Sequence, residues 1–234
     1  MPSSVSNSEW LKAYFADVSR DLTPASLQPA LVVLHAAVSK DPEVTERCCS
    51  VLSDAELQRA KRFAVPDQSN LFKQRRAFRR YCGALATGSS DALSQITFCG
   101  MENGQPRLLG QPDFRFSFSS CRLGFLAAWS SAFAPGVDFE DPGREIEAVD
   151  LARRYYSRTE ARAVESAGGL ARPNQFFQFW CLKEAALKSI GEGLPYGLDA
   201  FEFDLDPEVR VVRVPPEHGL PGHFKASLIE GTDG

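Results

Sequence analysis

The stretch NQFFQFWCLKEAALKSI, residues 174–190, sets the tightest constraint on the fold. Asn174 follows Pro173 and has the side chain of an N-cap, which accepts from an otherwise orphaned backbone N–H. Gly191 supplies a left-handed residue to end the helix. Phe176, Phe179, Trp180 and Leu187 recur at near-helical spacing, giving an apolar face that must be covered. Trp180, Glu184 and Lys188 lie four apart and form a stripe, with Lys183 beside it. Taken alone, this is best read as an amphipathic helix with a surface Glu–Lys pair. A second acidic stretch upstream changes the balance.

That stretch is PGVDFEDPG. In an extended GVDFE, Asp138 and Glu140 point to one face while Val137 and Phe139 point to the other. Neighbouring carboxylates repel each other, and a fold tolerates them best with a cation between them. By itself the pattern is no more than an edge strand blunted by charge.

The rest of the chain reads as helices and then strands, in each half. A short helix is expected around Trp10–Val18, a buried strand at Leu31–Val38 with His35 as a core residue, and a helix over Leu52–Phe63. Ser53 with Glu56, and Ser157 with Glu160, are capping boxes. Pro66 separates the first helix from a second that carries Lys73, Arg75, Arg76, Arg79 and Arg80. The arginine density there exceeds what solubility needs and suits a phosphate-bearing ligand. ITFCG, a turn at ENGQP, FRFSFSS and FLAAWSSAF follow as strands and their connection, then helical signals over Glu145–Tyr156. After the focal helix FEFDLD, VRVVRVP and HFKASLIEG alternate as strands. The class is α+β, divided near residues 134–136.

The whole sequence has 234 residues, 44% hydrophobic and 24% charged, and a net charge of −4, which argues against a general polyanion binder. The six cysteines show neither zinc spacing nor a compact disulfide framework, and read as reduced thiols. MPSSVSNSEW lacks the features of a signal peptide, and no apolar run reaches membrane-spanning length, so a cytoplasmic protein is expected. Any metal would be held by oxygen ligands.

GVDFE and FWCLKEAALK, about forty residues apart, resemble the two signature stretches of the Sfp-type 4′-phosphopantetheinyl transferases, G-x-D-x-E and W-x-x-K-E-x-x-x-K. LSDAELQRAKRF, RRAFRR, FRFSFSS, YYSRTE and GEGL fit the same family in order, over about residues 51–203. The resemblance implies two similar α/β lobes, 1–134 and 135–234, related by a pseudo-twofold axis, with coenzyme A and Mg²⁺ in the cleft between them. It implies transfer of phosphopantetheine to a serine of an acyl, polyketide or peptidyl carrier protein, with release of adenosine 3′,5′-bisphosphate. Asp138, Glu140 and Glu184 would be the metal ligands. Lys188 would meet the phosphates or leaving group, and Lys183 a phosphate. Arg59, Arg62, Arg76, Ser119 and Ser120 would contribute to the coenzyme site. The base that takes the serine proton is Glu184 or a water on the metal. A monomer acting on neither nucleic acid nor membrane is implied.

The chain departs from the family pattern in three places. Ser119 is followed by Ser120 and Cys121 where the family has a histidine that contacts the coenzyme. The family's GKP turn is GQP, with Gln105 replacing lysine. The sequence stops at Gly234, soon after HFKASLIEG, where relatives run on into another strand. An impaired relative that binds coenzyme A or a carrier without transfer is therefore the alternative. A nucleic-acid binder using Arg59–Arg80 lacks a recognisable module. A metal-dependent phosphohydrolase fits the lysine-rich helix less well than transfer does.

Overall fold

Apolar side chains separate into two main cores, one in each half of the chain. The computed structural model describes residues 5–24, 28, 30–100 and 105–229. In the first half, helices α1 (Asn7–Val18), α2 (Pro42–Cys49), α3 (Asp54–Ala60) and α4 (Pro66–Thr87) accompany an antiparallel sheet. Its strands are β1 (Ser19–Asp21), β2 (Val32–Ala37), β3 (Phe98–Gly100), β4 (Pro106–Leu108), β5 (Gln111–Cys121) and β6 (Gly124–Ser130). They are ordered β1-β2-β6-β5-β4-β3. Pro66 opens α4, where a missing N–H costs nothing, and Gly88 closes it at φ 62°. Phe72, Ala77, Phe78 and Tyr81 fall on the helix face toward the core, and Phe78 stacks on Phe125 of β6.

The second half holds α5 (Ala148–Tyr155), α6 (Arg158–Ser166) and α7 (Ala171–Ile190), followed by the hairpin β7 (Glu202–Asp204) and β8 (Arg210–Arg213). Its core gathers Ala152, Tyr156, Val164, Phe176, Phe179, Leu187, Phe201 and Phe203. The Tyr156 hydroxyl is satisfied by donating to the Phe176 carbonyl (2.9 Å).

Both capping boxes form as the sequence indicates. Three expectations change. Helix α7 starts at Ala171, so Asn174 is not its N-cap and Pro173 lies in its first turn, where proline is tolerated. The described part of HFKASLIEG, residues 223–229, is not a strand: Pro221–His223 make a single 3₁₀ turn, and Phe224–Ile229 pair with no ladder among the described residues, while residues 230 and 231 lie outside them. GVDFE also stands outside the ladders. Its partners are side chains, with Val137 N donating to Ser117 Oγ (3.1 Å). The alternation nevertheless survives. Val137 packs with Leu31, Val33 and Ala128, and Phe139 meets the edge of half-buried His35, while the two acids turn toward α7. Residues 102–104 of the expected ENGQP turn lie outside the described residues.

The segment bearing the acids presses against α7. A Cβ at Gly136 would come within 1.8 Å of the Ala185 carbonyl oxygen, so this backbone approach requires glycine. No helix among the described residues is long and apolar enough to cross a membrane.

Candidate active site

The helical period brings Trp180, Glu184 and Lys188 to the acidic segment. Lys188 Nζ donates to Asp138 Oδ1 (2.6 Å), to the Val137 carbonyl (3.2 Å) and to Ser119 Oγ (3.3 Å). Ser119 Oγ in turn donates to Asp138 Oδ1 (2.8 Å). Asp138 is almost wholly buried, at 5% side-chain exposure. Its Oδ2 is buried with no hydrogen-bond partner, the neighbouring Cys181 thiol being a weak donor at best. Burial and the Asp138 charge push the Glu140 carboxyl above its ordinary range, against the pull of Arg144, Lys188 and Trp180. Glu184 is raised as well, chiefly by burial and further by Asp138 and Glu140, with Lys188 opposing.

Among the described residues, no three His, Cys, Asp or Glu side chains converge closely enough to enclose a metal ion. The donor chemistry still fits a hard divalent cation. Three carboxyls repel one another, two of them displaced upward, and a buried carboxylate oxygen lacks a partner.

On the far side of Ser119 stands the arginine face of α4. Arg75 Nη1 donates to Ser120 Oγ (3.3 Å), and Arg79 lies over the Phe118 ring, 4.7 Å from its centroid. Burial lowers both guanidinium pKa values, helped by Arg76 and Arg59 for Arg75 and by Arg75 and Arg76 for Arg79, whose pKa falls to about 9, and the Nε of each is buried without a hydrogen bond. Such a pair is electrostatically incomplete and ready for an anion. Arg76, expected at the coenzyme, instead pairs with Glu56 (3.2 Å), which Arg80 also grips (2.7 Å). Arg59 and Arg62 are exposed one helix away, with Arg59 over Phe72. A groove of ≈ 420 Å³ lined by Ser120, Cys121, Arg122, Glu140, Asp141 and Arg144 adjoins the acids.

Lys183 is placed otherwise than its neighbourhood in sequence suggests. It is fully buried, pairs with equally buried Glu160 (2.7 Å) and donates to the carbonyls of Leu198 and Phe201. Burial lowers its pKa while Glu160 opposes the shift. A lysine committed in this way has no donor left for a phosphate, so the expected phosphate contact gives way to a structural one.

Sequence reasoning placed Arg75 and Arg79 on a helix suited to a phosphate-bearing ligand but did not count them among the coenzyme contacts, although their spacing of four marks a shared face. It also missed the place of Gln105, whose buried side chain reaches the end of α7. A long-range contact of that kind leaves no local signature.

The profile of the 4′-phosphopantetheinyl transferase superfamily matches residues 134–228. Over 131 residues the chain is 31% identical to 4′-phosphopantetheinyl transferase psf-1 of Bacillus pumilus, covering 55% of this chain and 54% of that protein. It is 26% identical over 137 residues to 4′-phosphopantetheinyl transferase Sfp of Bacillus subtilis (strain 168), covering 58% and 60%. A putative 4′-phosphopantetheinyl transferase of Synechocystis, slr0495, is 27% identical over 181 residues, covering 76% and 72%. The chain thus spans little more than half the length of the Bacillus relatives it matches. The matched region contains the acidic segment and the whole of α7, so the part of the chain that carries most of the candidate site is similar to the 4′-phosphopantetheinyl transferase superfamily.

Proposed function

We propose that this chain transfers the 4′-phosphopantetheine group of coenzyme A to a carrier-protein serine and releases adenosine 3′,5′-bisphosphate, with Mg²⁺ as cofactor. The observation that carries this reading is the meeting of Lys188, Ser119 and Asp138 between acidic Glu140 and Glu184 on one side and Arg75 on the other. Polyanion binding requires that arrangement of positive groups, and phosphoryl transfer consists largely of positioning and charge stabilisation.

In the reaction, the serine oxygen bonds to the phosphorus nearer the pantetheine arm, and the bond from that phosphorus to the bridging oxygen breaks. Arg75 and Ser120 bind coenzyme phosphate, and Lys188 stabilises charge on the departing bisphosphate. Arg59 and Arg62 act as outer contacts, and Arg76 orders the arginine face through Glu56. Glu184 accepts the serine proton as general base. Asp138, Glu140 and Glu184 would hold the Mg²⁺, which would supply charge neutralisation for the pyrophosphate. The reading includes two related lobes divided at 134/135, supported by the separate core in each half. It also includes a monomer at work in the cytoplasm on acyl, polyketide or peptidyl carriers, without nucleic acid or membrane.

A second reading, binding without transfer, is favoured by Lys188 already neutralising Asp138 and by Ser120 in place of the family histidine. Intact mass of a carrier incubated with the chain, coenzyme A and Mg²⁺, with an EDTA control, separates the two. A gain of the phosphopantetheine mass only with metal is expected. Asp138→Ala should cut transfer by at least roughly a hundredfold while leaving the fold intact. Unchanged transfer by that variant overturns the metal assignment, and coenzyme binding without mass gain selects the second reading.

A further inference from the structure

The last carbonyls of a helix have no donors within it. At the end of α7 the Leu187 carbonyl accepts from Glu192 N, and that of Lys188 from Gly191 N. Gln105, far away in sequence at the entry to β4, supplies a further cap from outside the helix. Its Nε2 donates to the Lys188 carbonyl (2.8 Å) and to the Ser189 carbonyl (3.1 Å), and the residue is only 8% exposed. Both partners are acceptors, so the NH₂ end of the amide must face them, and both its hydrogens are used.

We propose that Gln105 is a positioning residue for Lys188. It fixes the final turn of α7, so that the Lys188 ammonium stays on Asp138, Ser119 and the Val137 carbonyl. The acidic segment is pressed to the same turn of helix at Gly136, where a Cβ would also meet Ser189 N at 2.9 Å. The helix end is therefore held by the amide from the sheet and by backbone contact with the acidic segment. Without the amide, the Ser189 carbonyl loses its donor and the turn can unwind toward the glycine, carrying Lys188 off its partners. Residue 105 acts through Lys188 and touches no reacting atom, and its importance for transfer rests on the function proposed above.

The test compares Gln105→Lys, which still donates to both carbonyls, with Gln105→Glu, which cannot donate, and Gln105→Asn, which is one methylene too short. The first readout needs neither coenzyme nor transfer. It is the NMR signal of Lys188 in protein carrying labelled lysine side chains, assigned through Lys188→Arg. The Lys variant should keep the parent signal, and the Glu and Asn variants should move it toward that of freely exposed lysines. In transfer assays the same two variants should lower kcat roughly ten- to hundredfold with KM for coenzyme A little changed. Folded Glu or Asn variants with an unshifted Lys188 signal overturn the proposal. So does a Lys variant shifted as far as the Asn variant. If the Glu variant fails to fold, the comparison of Asn with Lys decides. A parent that transfers nothing removes the proposed function, while the Lys188 signal still decides the role of Gln105.

Discussion

Asp138 Oδ1 takes hydrogen bonds from Lys188 and Ser119, whereas Oδ2 is buried without one. A tethered ammonium therefore supplies part of the neutralisation that a divalent cation would complete. Mg²⁺ should raise the melting temperature of the parent by binding the folded state alone, about 2.7 kcal/mol at a hundredfold excess over its dissociation constant. Asp138→Asn should remove most of that shift, and an equal shift in both proteins would exclude Asp138 from the site. Glu184 allows a separate check. Its pKa is raised by burial and by the neighbouring acids, so its contribution to stability is fully present below the ordinary 4.5 and is lost as pH climbs through the folded value. Glu184→Gln is uncharged at every pH. In EDTA the variant should melt above the parent at neutral pH, and the gap should close as pH falls below 4.5. A gap of the opposite sign at neutral pH would refute the repulsion among the three acids.

At the scale of elements, local patterns were legible where one short-range interaction decides the outcome. Ser53 with Glu56 and Ser157 with Glu160 cap their helices, and Gly191 ends α7 at φ 81°. Each capping glutamate has a second partner that the pattern cannot reveal, Arg80 for Glu56 and Lys183 for Glu160. For the same reason two lysines five residues apart on α7 looked alike in sequence and serve differently. Lys183 faces the core of the second half and Lys188 faces the acids. GVDFE and HFKASLIEG have the alternation of strands, but alternation fixes faces and not ladder partners. The division of labour on α7 is testable. Lys183→Ala leaves Glu160 as an uncompensated buried charge and should cost about 3–5 kcal/mol, read from urea denaturation. Lys188→Met, measured with Mg²⁺ present to offset the Asp138 charge, should lower the urea midpoint less than Lys183→Ala does and should weaken coenzyme A binding. Equal loss of stability in both variants would contradict the assignment of Lys183 to the core.

Across the whole molecule, neither half carries the candidate site alone. Ser119, Ser120 and Arg75 belong to the larger sheet and its covering helix, and Glu184 and Lys188 to α7. Asp138 and Glu140 lie on the connection between them. The class and the acidic stretches were open to reading from sequence, but the contact of α7 with the connection depends on a missing side chain at Gly136, a requirement that appears only once the two backbones are side by side. Gly136→Ala would place a Cβ 1.8 Å from the Ala185 carbonyl oxygen, which is backbone and cannot rotate away. The helix must then retreat from the segment, a form of overpacking that costs about 1–3 kcal/mol. Retreat lengthens the Lys188–Asp138 contact while leaving Phe176 and Phe203 in one core and Phe78 and Phe125 in the other. Gly136→Ala should therefore retain the circular dichroism of the parent, melt at a lower temperature and lose transfer. It should also lose the Mg²⁺-dependent gain in melting temperature. A variant that melts lower yet keeps full transfer and the full Mg²⁺ response would mean that the close approach serves packing alone.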